Sequence, residues 1–277
     1  MWIEAVRGAA SVGTFRPLAK SDLFPLEYWS LEQAKLASNK PKPLTGQVVL
    51  ITGGAGAIGA ATAKAFAREG AHVVVVDLDG AKAAEAAKAA GNNSIGVGGD
   101  ITKPAEVRAA FDQAVKTFGG IDIVVSNAEL RTHFFAHQNV AQNAVRIMRE
   151  QGTGGVLLFN ASKQAVNPGA KFGAYGLPKA ATLFLSRQYA LEYGPIGIRS
   201  NAVNADRIRS GLLTDAMIAS RSTARGLSEK DYMSGNLLGQ EVTAEDVAQA
   251  FLHQALAERT TADVTTVDGG NIAAAMR

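Results

Sequence analysis

The sequence predicts an α/β domain: a doubly wound, seven-stranded parallel sheet with helices on both faces. Three observations predict it. From Gln47 onward, seven short β-branched runs alternate with alanine-rich stretches of helical period. The runs are continuously apolar rather than alternating, as strands buried on both faces are. Strands separated by helix-length segments pair in parallel, because a parallel pair needs a long crossover.

In chain order the expected strands are Val48–Ile51, Val73–Val76, Ile95–Val97, Ile121–Val125, Val156–Phe159, Ile198–Val203 and Val264–Val267. The expected helices between them are Ala60–Glu69, Ala81–Ala90, Pro104–Phe118, Gln138–Glu150, Lys179–Tyr193 and Ala244–Leu256. Residues 1–45 read differently, as an extension or linker, with 46–277 forming the domain. Lys40-Pro41-Lys42-Pro43 suits neither helix nor central strand, since each proline fixes φ and removes a donor. The aromatic group Phe24, Tyr28 and Trp29 either packs on the domain's own surface or docks onto a partner.

Composition narrows the function classes. Apolar residues make up 47% of the 277 and charged residues 19%, with a net charge of +3. No block of about five like charges occurs, which argues against a nucleic-acid or membrane-surface protein. The absence of cysteine excludes disulfides, thiolate nucleophiles and cysteine-ligated metals. Four scattered histidines argue against a metal site. Glu4 and Arg7 do not suit a signal peptide, and no apolar run approaches about 18 residues, so a cytoplasmic protein is expected.

The first expected strand runs into Thr52-Gly53-Gly54-Ala55-Gly56-Ala57-Ile58-Gly59 and then a helix. Gly54, Gly56 and Gly59 fit G-x-G-x-x-G in the strand–turn–helix setting that lets a backbone approach a pyrophosphate at a helix N-terminus. Gly53, Gly56, Ile58 and Gly59 are the candidate contacts. The second strand ends in Asp77, followed by Leu78, where a carboxylate can accept from ribose hydroxyls. That carboxylate would repel a 2′-phosphate, so NAD is the expected cofactor. Alternatively, Asp77 caps a turn and Asp79 faces the ribose.

Tyr175 and Lys179 are spaced i, i+4, so a helix places both on one face. An ammonium near a phenol favours phenolate, making tyrosine a workable acid–base group, and Ser162, from the end of the preceding strand, could hold the substrate oxygen. Pro178 is tolerable if it lies in the helix's first four residues.

These residues resemble the short-chain dehydrogenase/reductase family over 46–277. The matching pieces are Thr52–Gly59, Asp100-Ile101-Thr102, Ser126-Asn127-Ala128, Ser162/Tyr175/Lys179 and Val267-Asp268-Gly269-Gly270. The stretches 27–36, 159–169 and 204–213 are similar, more narrowly, to the dehydrogenase half of bifunctional rhamnulose-1-phosphate aldolase/short-chain dehydrogenase proteins. That resemblance implies a Rossmann-type fold, a lactaldehyde-like small hydroxy-aldehyde or alcohol as substrate, a place in rhamnose catabolism, and residues 1–45 as an aldolase tail and linker. It also implies a homo-oligomer, dimer or tetramer, formed through the helix that carries tyrosine and lysine. Tyr175 would move the proton, Lys179 would tune it and bond the nicotinamide ribose, and Ser162 would orient the substrate. Asp100 and Ile101 would flank the adenine, Asn127 and Ala128 the middle of the cofactor, and Ile208 would contact it beyond the sixth strand.

The departures from the family pattern are specific. Ala57 replaces a glycine, Glu129 stands where N-A-G has glycine, and Ala205-Asp206 replaces Pro-Gly. The family's loop and helix of roughly 20 residues after the fourth strand is cut short. His133 falls at the position of the family's relay asparagine; it is either a substitute relay or a surface residue at a deletion scar. The shortening predicts an open cavity wall and weak NAD binding and turnover, and it supports a rival reading as a catalytically impaired domain with a binding or oligomerisation role. Arg207, Arg209, Arg221 and Arg225 fall in the expected substrate lid, either to grip an anion or as solvated or subunit-contact residues.

Overall fold

The computed structural model describes residues 41–127, 133–169 and 172–271. The readings placed on residues 1–40, Ala128, Glu129 and the His133 side chain lie outside the described residues. From Pro43 onward the chain forms one folded unit.

Seven strands form a single sheet in the order β3-β2-β1-β4-β5-β6-β7, every neighbouring pair parallel. They are β1 (Val48–Thr52), β2 (His72–Asp77), β3 (Ile95–Gly98), β4 (Ile123–Ser126), β5 (Gly155–Asn160), β6 (Ile198–Ala205) and β7 (Val264–Val267). The crossovers carry α1 (Ala57–Arg68), α2 (Gly80–Ala90), α3 (Pro104–Phe118), α4 (His133–Gln151), α5 (Gly173–Tyr193), α6 (Asp215–Thr223), α7 (Glu229–Met233) and α8 (Ala244–Leu256). Strand order reverses between β1 and β4, where an open α/β sheet forms a crevice at its C-terminal edge.

The continuous apolar runs explain two cores. Along each strand successive side chains enter opposite layers. Leu50, Val74, Val76, Val124, Leu157 and Phe159 join Phe111, Val140 and Leu183 of α3, α4 and α5. Val49, Ile51, Val73, Val75, Val125 and Leu158 join Phe66, Ala83 and Phe251 of α1, α2 and α8.

The main differences from the sequence expectation are local. Ile121 is buried but lies outside β4: its amide donates to Gln151 Oε1 at 2.8 Å and its carbonyl accepts from Gln151 Nε2 at 3.0 Å, so a side chain replaces the strand ladder. Helix α4 begins at His133 rather than Gln138. Helix α5 begins at Gly173 rather than Lys179, because the Gly176 amide closes its first turn on the Phe172 carbonyl at 2.7 Å. Pro178 is therefore the sixth residue of α5, past the turn where a missing N–H costs nothing, and the Ala174 carbonyl receives no amide from it. Helices α6 and α7 were not expected; each is started by a hydroxyl cap, Thr214 Oγ1 accepting from Met217 N and Ser228 Oγ from Asp231 N.

Candidate active site

A cavity of about 640 Å³ opens at the C-terminal edge of the sheet. Gly53 follows β1, Asn127 follows β4, Asn160 to Gln164 leave β5, and Ala205 to Ile208 leave β6; all line it. Asp77 at the end of β2 and Tyr175 on α5 complete one side, while Arg221, Arg225 and Tyr232 close the other.

The glycine turn is built for close approach. Gly53 has φ +61°, a conformation that L side chains rarely adopt. A Cβ on Gly59 would sit 2.2 Å from the Gly53 carbonyl oxygen, so only glycine lets α1 start this close to β1. Gly56 is the N-cap of α1 and supplies no side-chain acceptor, which leaves the first-turn amides open toward an incoming anion. Asp77 steadies the turn: its Oδ2 accepts from Ala55 N at 3.1 Å, and it lines the cavity half-buried. Asp79 instead caps α2 through Ala81 N and Lys82 N, and the amide of Lys82, as the largest cause, holds its carboxyl below the usual range.

A buried polar line crosses the cavity floor. Asn127 receives its backbone position from Thr52 Oγ1 (3.1 Å) and donates through Nδ2 to the carbonyls of Thr52 and Gly53 at 3.3 and 3.2 Å. Asn160 Nδ2 donates to Asn127 Oδ1 at 2.9 Å, and Lys179 Nζ donates to the Asn160 carbonyl at 3.0 Å. Lys179 is fully buried and its ammonium lies 5.8 Å from the centroid of the Tyr175 ring. Ser162 is nearly buried; its Oγ accepts from Gln164 N at 3.3 Å and caps the single helical turn Lys163–Ala165. Phe172 meets Tyr175 edge-on, ring centroids 6.3 Å apart. A second tyrosine on this helix, Tyr189, is buried, and burial pushes its phenol well above the ordinary range, so it stays protonated.

The structure therefore brings Gly53, Gly56, Ile58, Asp77, Asn127, Ser162, Tyr175 and Ile208 onto one cavity, with Gly59 and Lys179 directly behind. It does not bring Leu78, Asp100 or Ile101 into the lining. Leu78 is exposed, and Ile101 is packed in the core. The Asp100 carboxylate accepts from Thr102 Oγ1 at 2.7 Å and Thr102 N at 2.9 Å; the hydroxyl first, then the amide, hold its carboxyl below the usual range. Asn160 was missed by the sequence reading, although its place at the very end of β5, two residues before Ser162, was a readable signal. Among the described residues no group of three or more histidines and carboxylates gathers as a metal site would, and no helix is long and apolar enough to cross a membrane.

The residues fit a dinucleotide. A side-chain-free helix start, a glycine turn that no Cβ could replace, and a carboxylate one strand away face a single crevice.

Comparison with known proteins agrees. The family model described as short chain dehydrogenase matches residues 47–218, and a model described as aldolase class II, second domain, matches residues 1–36. The uncharacterized oxidoreductase YuxG of Bacillus subtilis is 36% identical over 99% of this chain, which spans only 45% of that relative's length. The 2-(S)-hydroxypropyl-CoM dehydrogenase 3 of Xanthobacter autotrophicus is 32% identical, covering 82% of this chain and 97% of its own. Among solved structures, the NADH complex of 3-ketoacyl-(acyl-carrier-protein) reductase from Brucella melitensis superimposes with a TM-score of 0.74 at 28% identity, over 82% of this chain and 98% of that one.

Proposed function

Because the chain belongs to the short-chain dehydrogenase family, an oxidoreductase family, we propose that it is an NAD-dependent dehydrogenase acting on a small hydroxy-aldehyde or alcohol. One observation carries the reading: Ser162, Tyr175 and the glycine turn share one cavity, with the Lys179 ammonium buried behind the tyrosine. Gly53, Gly56, Ile58 and Asn127 would hold the dinucleotide along the floor, and Asp77 would take the adenosine ribose and repel a 2′-phosphate. The dinucleotide supplies the hydride acceptor. Ser162 donates its hydroxyl to the substrate oxygen and fixes it beside Tyr175. The Tyr175 phenolic oxygen then takes the hydroxyl proton as the carbinol C–H bond breaks. The Lys179 charge favours the phenolate that makes this possible, and its bond to the Asn160 carbonyl holds the ammonium in place.

Lactaldehyde is the substrate suggested by the resemblance to the bifunctional aldolase/dehydrogenase proteins, and the match of residues 1–36 to the aldolase domain supports that relationship. Its hydrate would present Tyr175 and Ser162 with the C–H and O–H of an alcohol. The same resemblance supports a homo-oligomer formed through α5, whose Leu177, Phe184 and Leu191 are 76%, 69% and 75% exposed at a spacing of seven residues. The cytoplasmic location expected from the sequence belongs to the same proposal.

A second reading, an impaired domain that binds NAD without turnover, is favoured by the short connection from the end of β4 at Ser126 to the start of α4 at His133. Spectrophotometric NADH formation with a panel of short diols and hydroxy-aldehydes, run beside an NAD titration, separates the two. Turnover supports the dehydrogenase. Binding without turnover across the panel supports the impaired domain.

A further inference from the structure

Four arginines lie between β6 and α8, and the structure gives them different roles. Arg207 is held in place by protein groups. It has φ +54°, donates to the Tyr232 carbonyl at 2.6 Å, faces Asp206 at 3.5 Å and lies over the Tyr232 ring. Arg209 points away from the cavity into a carboxylate pair, 2.6 Å from both Asp215 and Glu241. Arg221 and Arg225 are different. Arg221 lies in the last turn of α6 and Arg225 four residues on, in the turn that follows it, and both line the cavity. Among the described residues neither has a carboxylate partner.

Both guanidinium groups are nevertheless oriented. Arg221 lies over the Phe172 ring at 5.3 Å, and Arg225 over the Tyr232 ring at 5.3 Å while donating to the Arg221 carbonyl at 3.0 Å. Stacking on an aromatic face fixes the plane of a guanidinium and leaves its edge N–H groups able to reach an acceptor in that plane. Two like charges presented to one cavity repel in the absence of a counter-ion and are relieved by an anion between or beside them.

The charge balance of the cavity points the same way. Its lining contains the cations Lys163, Arg207, Arg221 and Arg225 against the carboxylates Asp77 and Asp206. Asp206 is already engaged by Arg207 and by Asn271 Nδ2 at 2.8 Å, and Asp77 belongs to the β2 end, by the glycine turn. The arginine end is thus positive. It is also close to the reacting end, because Phe172, on which Arg221 stacks, is the ring in edge contact with Tyr175. One aromatic ring separates the guanidinium from the phenol.

We propose that Arg221 and Arg225 bind an anionic group carried by the substrate, so that the preferred alcohol is a short hydroxy compound ending in a carboxylate, phosphate or sulfonate. The proposal rests on the reading of Ser162 and Tyr175 as the reacting end. It narrows that reading: neutral lactaldehyde becomes a weaker substrate than an alcohol with an anion several bonds from the carbinol. A small hydroxy acid would meet the phenol with its hydroxyl and the guanidinium groups with its carboxylate, which suits a bidentate grip.

The test compares acids with neutral isosteres. Calorimetric titrations of the intact protein, with and without saturating NAD, use 4-hydroxypentanoate against 4-hydroxypentanamide, then the matching phosphate ester and sulfonate to rank the anions. The expected result is at least about tenfold tighter binding of an acid than of the amide, a preference lost in Arg221→Met and Arg225→Met and partly restored by the corresponding Lys variants. NAD affinity should stay unchanged in all four. Equal binding of acid and amide by the wild-type protein, or no binding of any of the acids, overturns the proposal even if a variant fails to fold. Retention of the preference in both Met variants overturns the assignment to these residues. Failure of NAD to bind counts instead against the dehydrogenase reading, and the acid–amide comparison without NAD still decides the anion site.

Discussion

At the scale of single residues the proposed function assigns proton transfer to Tyr175 and dinucleotide choice to Asp77. Tyr175→Phe removes one oxygen from a half-buried ring and leaves its edge contact with Phe172, so the fold and NAD binding should persist. Turnover with an alcohol the wild-type protein oxidises should fall at least ~100-fold, the low end for general acid–base catalysis, as read in single-turnover NADH formation. Asp77 acts at the other end. Its carboxylate holds the Ala55 amide and faces the cavity, so Asp77→Ser should relax the preference for NAD over NADP while loosening the turn slightly. Titrations with both dinucleotides check this, and equal wild-type affinities would defeat it. These two residues were legible in the sequence because each has a fixed offset from a motif. Asn160 was legible only by its place at the end of β5; its part is to join Asn127 to Lys179, a contact across 33 residues to one side and 19 to the other that no local pattern encodes.

At the scale of elements, helix ends carry local stability that can be measured apart from the site. Thr243 caps α8 with a reciprocal pair: its Oγ1 accepts from Asp246 N at 3.3 Å, and Asp246 Oδ2 accepts from Thr243 N at 2.8 Å. Thr243→Ala should cost about 1 kcal/mol in urea unfolding, since α8 buries Val247 and Phe251 and packs along α1. Dinucleotide affinity should be unaffected. The same scale shows why some elements were readable and others not. All seven strands followed from short apolar, mostly β-branched runs; β1, β2, β4, β5 and β6 are buried on both faces, which admit little else, while β3 and β7 at the sheet edges are only partly buried. Helices α6 and α7 are short and mostly exposed, and only Ile218, Ser222, Tyr232 and Met233 are buried, so no apolar period announced them. The withdrawal of Ile121 from β4 depends on Gln151, 30 residues away, and could not be read locally.

At the scale of the whole domain, α5 has two faces of different character. One face points Tyr175 and Lys179 at the cavity, and another exposes Leu177, Phe184 and Leu191. If that apolar face joins two copies, Phe184→Asp should lower the mass measured by light scattering to that of one chain without changing the far-ultraviolet circular dichroism spectrum. An unchanged mass would remove α5 from the assembly. The strand order has a further consequence, for the time course of folding. The central pair β1 and β4 comes from distant parts of the chain: the Val48 amide bonds Asp122, 74 residues later, and Thr52 sits in register with Ser126. Closing so long a loop costs entropy before any contact repays it, and parallel pairing of this kind is slow. The glycine turn gains its hydrogen bonds to Asn127 only once that pair has formed. A chain leaving the ribosome would therefore have β1, β2 and β3 in hand well before the crevice exists, and competence to hold a dinucleotide would arrive as one of its last acquisitions.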